Sequence, residues 1–232
     1  MSSNDKASYD LATRISSIER LASAMKRINY RLAVECFFLA AAPSVAACSS
    51  GGVTAADPGS LPVAEKHGSF AVDVEKPAAT VGDADYVFVG KVESKVGTTY
   101  KDPVAIETEN GTKEIADPYT DYKIKVLRNI KGELVSDRAI PVQKSGGVDK
   151  EQKYVVLYED DVLPEVGSTY MFLAYAQEDG SLLVSGLNSS LEIETGTEME
   201  LGKSKVVQAY GEAMKNQEKT DRTRFRSNFD AS

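Results

Sequence analysis

The chain after residue 68 alternates apolar and polar residues with a period of two, and turn residues interrupt this pattern at short intervals. DYVFVGKVESKV is rich in β-branched and aromatic residues, and YTDYKIKVLRNI alternates along its length. STYMFLAYAQ is an almost continuous apolar run. Successive side chains of a strand point to opposite faces, so alternation predicts half-buried strands and the apolar run predicts a central strand.

Three further segments, SFAVDVEK, RAIPVQKSGG and DGSLLVSG, have the same character, and QEDG before the last of them is typical of a hairpin turn. Five or six short strands separated by turns predict a mainly β fold, an antiparallel barrel or sandwich. We expect this domain to span residues 69–198.

The C-terminal segment EMELGKSKVVQAYGEAMKNQEK has a helical period instead. Its apolar stripe predicts a C-terminal helix over residues 199–219 that docks on the barrel. The polar residues 220–232 that follow are expected to form a disordered tail.

Composition excludes several classes of site. The only two cysteines are Cys36 and Cys48, so the rest of the chain has no disulfide, thiolate metal site or cysteine nucleophile. His67 is the only histidine, and no catalytic set forms around it. The net charge of -8 argues against binding nucleic acid. We therefore expect no cofactor.

The N-terminal region has the layout of an export signal. Residues 1–47 hold six basic and four acidic residues, and the apolar stretch from Leu32 to Ala42 follows three basic residues. Met25 is a candidate natural start. Glu35 lies within the apolar stretch and fits this interpretation poorly. A non-lipid anchor and a cytosolic helix therefore stay open as alternatives.

Val45, Ala46, Ala47 and Cys48 read VAAC, which resembles a bacterial lipobox. The resemblance implies that residues 1–47 are an N-terminal extension and lipoprotein signal peptide, and that Cys48 is lipidated. Residues 48–68 would then be a flexible tether. The protein would be held on the extracytoplasmic face of the cell membrane.

The order ADYVFVGKVES, YTDYKIKVLRNIKGEL, IPVQKSGG, LPEVGSTYMFLAY and GSLLVSG resembles that of bacterial, Gram-positive-type surface lipoproteins with a netrin-like domain. Such domains are similar to tissue inhibitors of metalloproteinases and have an OB-fold. The matching positions are Ala84, Asp85, Gly90, Val92, Tyr122, Val126, Lys131, Gly132, Gly146, Gly147, Pro164, Gly167, Tyr170, Phe172 and Leu173.

The resemblance covers about half of the chain and consists of core and turn positions, which define a fold but no chemistry. It implies a five- to six-stranded antiparallel OB-like Greek-key barrel. Metalloproteinase inhibitors chelate the target's zinc through a free N-terminal cysteine. That route is not carried over, because the domain lacks the corresponding cysteines.

Two groups of residues are candidate sites. Tyr119, Asp121 and Tyr122 predict a ligand face, because tyrosines beside a carboxylate on such a barrel can bind a glycan or a peptide. The more common alternative is that they are turn and strand residues with half-buried rings. Glu159, Asp160 and Asp161 are a weak candidate for calcium, since their spacing does not match a known calcium loop. A solvated acidic loop is the simpler interpretation.

These observations favour a membrane-anchored, extracytoplasmic lipoprotein that acts as a non-enzymatic binding module. Its partners would be the membrane, through the lipid anchor, and an extracellular protein or glycan. One alternative is an exported cell-wall hydrolase that uses a pair of carboxylates, which requires a pocket holding two carboxylates with raised pKa values. Another is a protease-inhibitor-like module, which requires a protruding loop.

Overall fold

A computed structural model describes residues 58–108, 111–194 and 198–232. This part of the chain is mainly β, with two sheets and a C-terminal helix. After a short 3-10 turn, the elements are β1 (Val63–Lys66), α1 (Pro77–Asp83), β2 (Tyr86–Thr108), β3 (Gly111–Lys131), β4 (Ala139–Ser145), β5 (Gly147–Val148), β6 (Val155–Tyr158), β7 (Thr169–Ala176), β8 (Leu182–Val184), β9 (Ser190–Ile193), α2 (Glu198–Leu201) and α3 (Lys205–Lys215).

The larger sheet has the strand order β2-β3-β4-β8-β7-β9, and β2 also pairs with β7. The pairings of β2, β3, β4, β8 and β7 therefore form a ring. A smaller sheet has the order β1-β6-β5. The expectation that all strands are antiparallel is wrong, since β4–β8 and β1–β6 are parallel. The hairpin with β7 fixes the direction of β8, and that direction is parallel to β4.

β7 is buried on both of its faces, as its apolar sequence predicts. One face packs with Phe88, Tyr122 and other buried residues of the larger sheet, which together form the first core. Its opposite face carries Met171 and Leu173, which pack against α1 and α3 in a second core. β7 therefore separates two hydrophobic layers, and the predicted hairpin from β7 to β8 is confirmed.

The strand predicted in SFAVDVEK is absent. Residues 69–76 form bends and turns that lead into α1. The Asp73 carboxylate accepts a hydrogen bond from the backbone N–H of Glu75 at 3.1 Å, which stabilises a local turn. Pro77 then begins the helix, where a missing N–H costs nothing. Local turn and helix preferences thus outweigh a short period-two pattern.

The expected tether over 48–68 is also more structured at its end than predicted. Residues 63–66 form β1, which pairs in parallel with β6 from Val63 opposite Val155 to Lys66 opposite Tyr158. The edge of β6 supplies backbone partners that sequence composition does not reveal. Residues 48–57 lie outside the described residues.

β2 and β3 continue past the ring as a two-stranded arm, which we define as residues 101–108 and 111–117. Most of its side chains are exposed on both faces. Val104 lies opposite Ile115 in the register, and Ile106 lies on the same face as Val104. All three are exposed, so the arm carries an apolar patch outside either core.

The C-terminal helix is shorter than predicted and is preceded by the short helix α2. Ser204 is the N-cap of α3, and its hydroxyl accepts a hydrogen bond from the N–H of Val207. A Ser in this position starts a new helix, so one continuous helix over 199–219 is not formed. α3 docks on α1 and the sheet through Val207 and Tyr210, as expected for a docked terminal helix.

The tail of residues 220–232 is not disordered, contrary to our expectation. The Ser227 N–H donates to the Tyr86 hydroxyl at 3.0 Å, and the Val135 N–H donates to the Phe229 carbonyl at 2.9 Å. The backbone of Asp230 forms a bridge with Leu134. The polar composition concealed this docking because charged side chains, and not apolar ones, provide many of its contacts.

The packing of α1 against the chain leading into the tail gives a stability prediction. A methyl group at Gly82 would overlap the Glu218 carbonyl oxygen, whereas one at Gly97 would meet no atom within 4 Å. We expect Gly82→Ala to lower the free energy of unfolding by about 1–3 kcal/mol. Gly97→Ala should leave it nearly unchanged. Urea unfolding measures both, and equal midpoints for the two variants would contradict this packing.

Candidate functional site

The predicted ligand face divides between two sides of β3. Tyr119 and Asp121 point outward and are partly exposed, whereas Tyr122 is only 1% exposed and packs in the first core. Burial raises the pKa of Tyr122, which therefore stays a neutral phenol. Including Tyr122 in the ligand face was wrong because adjacent residues of a strand face opposite ways.

Asp121 is the centre of a polar row across three strands. The Thr99 hydroxyl donates to its Oδ2 at 2.5 Å, and Gln143 Nε2 donates to its Oδ1 at 2.7 Å. In the register, Asp121 lies opposite Gly97 of β2 and Gln143 of β4. These hydrogen bonds hold the carboxylate in one orientation while its remaining lone pairs stay available.

Tyr119 extends this row toward the arm. It lies opposite Thr99, and the Lys101 ammonium lies 5.0 Å from the centre of its ring. Burial and the nearby carboxylates of Asp117 and Asp102 raise the pKa of Tyr119, so its hydroxyl can donate a hydrogen bond at neutral pH. We call Thr99, Lys101, Tyr119, Asp121 and Gln143 the outer strip. It combines an aromatic ring with oriented polar groups on a partly exposed sheet surface.

The acidic segment after β6 does not form a shared carboxylate cluster. Glu159 lies on the surface, and its carboxylate is 2.8 Å from Nδ1 of His67. Asp161 pairs with Lys144 in the interior at 2.5 Å. Asp160 has a φ of 58° at the turn between them. In the described ranges, no group of three or more His, Cys, Asp or Glu side chains is arranged to hold a metal ion.

Of the pairs of basic and acidic side chains in the described part of the chain, Lys144 and Asp161 form the most deeply buried one. Their side chains are 1% and 2% exposed, respectively. Lys144 lies near the end of β4, and Asp161 follows β6. The Lys144 Nζ also donates to the Ser189 hydroxyl at 3.1 Å. Sequence reasoning assigned Asp161 to a solvated loop and assigned no role to Lys144.

A cleft of about 610 Å³ lies beside the C-terminal tail. Arg224 lines the cleft and donates hydrogen bonds to two other lining residues. These are the Gly82 carbonyl at 2.6 Å and the Asp85 carboxylate at 3.0 Å. Arg222 pairs with Asp85 at 2.6 Å. The lining residues are Gly82, Asp85, Tyr86, Lys131, Gly132, Gln217, Lys219, Thr220, Asp221, Arg224, Phe225, Arg226 and Asp230.

Sequence reasoning missed this cleft because it assigned the tail to disorder. A pattern that could have found it is the spacing of Arg222, Arg224 and Arg226 at every second residue. That spacing places side chains on one side of an extended chain. Cations near the end of α1 are also favourable, because the last carbonyl groups of a helix are unpaired and partly negative.

Lys131 lies in this cleft and binds the end of α1. Its Nζ donates to the Val81 carbonyl at 2.6 Å and to the Gly82 carbonyl at 3.2 Å. Burial, and next the charge of Arg224, lower the pKa of Lys131 to about 8. Hydrogen bonds from Tyr86 and Ser232 instead lower the pKa of the Asp230 carboxyl, despite its burial.

Cys48 and the VAAC residues Val45, Ala46 and Ala47 lie outside the described residues, so the structure places none of them. Of the helices that are described, none combines the length and apolar character that a membrane span requires. Comparison with protein-family models and with curated protein sequences finds no match for this chain. Any functional conclusion therefore depends on the residues and their geometry.

The lowered pKa of Lys131 predicts a specific pH dependence. Between pH 8 and the ordinary lysine pKa of about 10.4, the unfolded chain binds more protons at this group than the folded chain does. The contribution of Lys131 to stability therefore rises with pH across that window. We expect Lys131→Met to remove this part of the rise, as measured by urea unfolding from pH 7 to 11. An identical pH dependence in both proteins would contradict the assignment.

Proposed function

We propose that the protein is a lipid-anchored, extracytoplasmic binding module that presents the outer strip to an extracellular ligand. The observation that carries the binding proposal is the outer strip itself, in which Thr99 and Gln143 orient the Asp121 carboxylate beside the Tyr119 ring. The VAAC sequence ending at Cys48 supports the anchor.

The ring of strand pairings supports an OB-like Greek-key barrel as the finer description of the larger sheet. In such a barrel, ligands usually bind on one strand face and its adjoining loops. The outer strip crosses β2, β3 and β4, the three strands that follow one another in the ring. The netrin-like resemblance is part of the same proposal, since it implies this barrel.

A glycan suits the outer strip better than an apolar ligand does. Hydrogen bonds hold Thr99, Asp121 and Gln143 in fixed orientations. Sugar hydroxyls can both donate to and accept from such polar groups. The Tyr119 ring offers an apolar surface for the C–H face of a sugar. The apolar patch of the arm adds a surface of the kind that protein partners bind, so an extracellular protein is the second ligand class.

The geometry gives less support to a carboxylate-dependent hydrolase. A general acid needs a raised pKa, yet the pKa of Asp230 in the cleft is lowered. Burial raises the pKa of Asp161, but that carboxyl is paired with Lys144 in the interior.

The anchor proposal predicts that cells expressing the full chain incorporate labelled palmitate into it. We expect Cys48→Ala to abolish labelling and to move the protein from the membrane fraction to the soluble fraction. Cys36→Ala is the matched control, because Cys36 lies in the segment that is removed. Labelling that survives Cys48→Ala would disprove the anchor.

The binding proposal predicts saturable binding of soluble cell-wall oligosaccharides, measured by isothermal titration calorimetry. Tyr119→Ala should weaken this binding at least about tenfold, which corresponds to about 1.4 kcal/mol. Tyr154→Ala is the matched control, because this exposed tyrosine lies on the loop between β5 and β6. Oligosaccharide binding that is absent, or is unchanged in Tyr119→Ala, would reject the outer strip as a glycan site.

A further inference from the structure

The side chains of Lys144 and Asp161 are in direct contact and enclosed by the fold. The Nζ–Oδ2 distance is 2.5 Å, within hydrogen-bonding distance. Both side chains have lost almost all contact with solvent. Neither side chain belongs to the outer strip or lines the cleft beside the tail, so the proposed function leaves the pair unused.

The surroundings hold both reacting groups in place. Ser189 donates its hydroxyl hydrogen to the Gly186 carbonyl at 2.5 Å, so its oxygen can accept a hydrogen bond from the Lys144 Nζ. The other carboxylate oxygen of Asp161 accepts a hydrogen bond from the Val162 N–H at 2.9 Å. The amine and the carboxyl group are therefore oriented toward each other by separate parts of the chain.

Burial also favours the protonation states that a condensation needs. Desolvation lowers the pKa of the Lys144 amine and raises the pKa of the Asp161 carboxyl, against their mutual attraction. A neutral amine has the free electron pair of a nucleophile, and a protonated carboxyl group has a better leaving group than a carboxylate. Taking two charges out of water is costly, and this cost acts in the direction of the neutral pair.

We propose that Lys144 and Asp161 condense to form an intramolecular amide bond between β4 and the segment after β6. The electron pair of the Lys144 Nζ attacks Cγ of Asp161, and a bond forms between nitrogen and carbon. The bond from Cγ to the hydroxyl oxygen then breaks. One proton from the nitrogen leaves with that hydroxyl group as water, so atoms balance and no oxidant or reductant is required.

The fold holds the amine and the carboxyl group together, whereas in water the two groups would rarely meet. Two groups held in contact react with a high effective concentration, because folding has already restricted their motion. The amide product is neutral, so it removes the cost of burying two charges. The same enclosure keeps water away from the bond once it has formed. The reaction is therefore a property of the folded chain and needs no other protein.

Mass spectrometry of the folded, full-length protein tests the proposal. Relative to the masses calculated from their sequences, wild type should be lighter than Lys144→Arg by the mass of one water. Comparing the two chains cancels any N-terminal processing. Arg keeps the positive charge at this position but cannot form the amide.

Tryptic digestion locates the bond. Trypsin does not cleave after a lysine whose Nζ is acylated, so we expect one branched peptide in which residues 139–150 are joined to residues 154–203. Asp161→Ala should eliminate this peptide. Release of residues 139–144 as a free peptide from folded wild type, with no missing water, would overturn the proposal. This result does not require either variant to fold.

Discussion

The structure depends on the burial of β7 on both of its faces. β7 pairs with β2 along one edge and with β8 and β9 along the other. It therefore joins β2, the first strand of the larger sheet, to the strands at the other end of the strand order. Its inward residues complete the first core, and its outward residues support α1 and α3. Buried backbone N–H and C=O groups must be hydrogen-bonded, so β7 requires a paired strand along each of its edges.

Charged side chains hold the C-terminal tail and the end of α1 together, where the apolar cores make few contacts. Lys131, Arg222 and Arg224 bind the carbonyl groups at the end of α1, where a helix has no partners of its own. The tail therefore acts as the cap of α1. Asp85 pairs with both arginines, and Asp83 also pairs with Arg222. This explains how a tail with few apolar residues docks on the domain.

The strands with strong patterns could be predicted from sequence, and those with weak patterns could not. The apolar run of β7 and the hairpin to β8 were recognisable because burial and turn chemistry are encoded locally. β1 was not, because its partner β6 is far away in the sequence. The arm was also missed, since its exposed residues give no sign of a core.

Of the candidate site, Tyr119 and Asp121 could be predicted, but their neighbours Thr99 and Gln143 could not. Those two come from other strands, and only the register brings them to Asp121. Tyr122 was assigned to the wrong face of β3. It is adjacent to Asp121 in the sequence, and adjacent residues of a strand lie on opposite faces, here the surface and the core. The pairing of Lys144 with Asp161 likewise follows from tertiary packing.

The pairing of β2 with β7 has a consequence for the order of folding. This pairing joins residues that are far apart in sequence, such as Tyr86 and Ala174, whereas β2 and β3 are consecutive. Loop-closure entropy makes distant pairings slow, so we expect the β2–β3 hairpin to form early and the β2–β7 pairing to form late. While it folds, a newly synthesised chain would thus expose the edge of β2 that later pairs with β7, and the chain would be most vulnerable to aggregation during this interval.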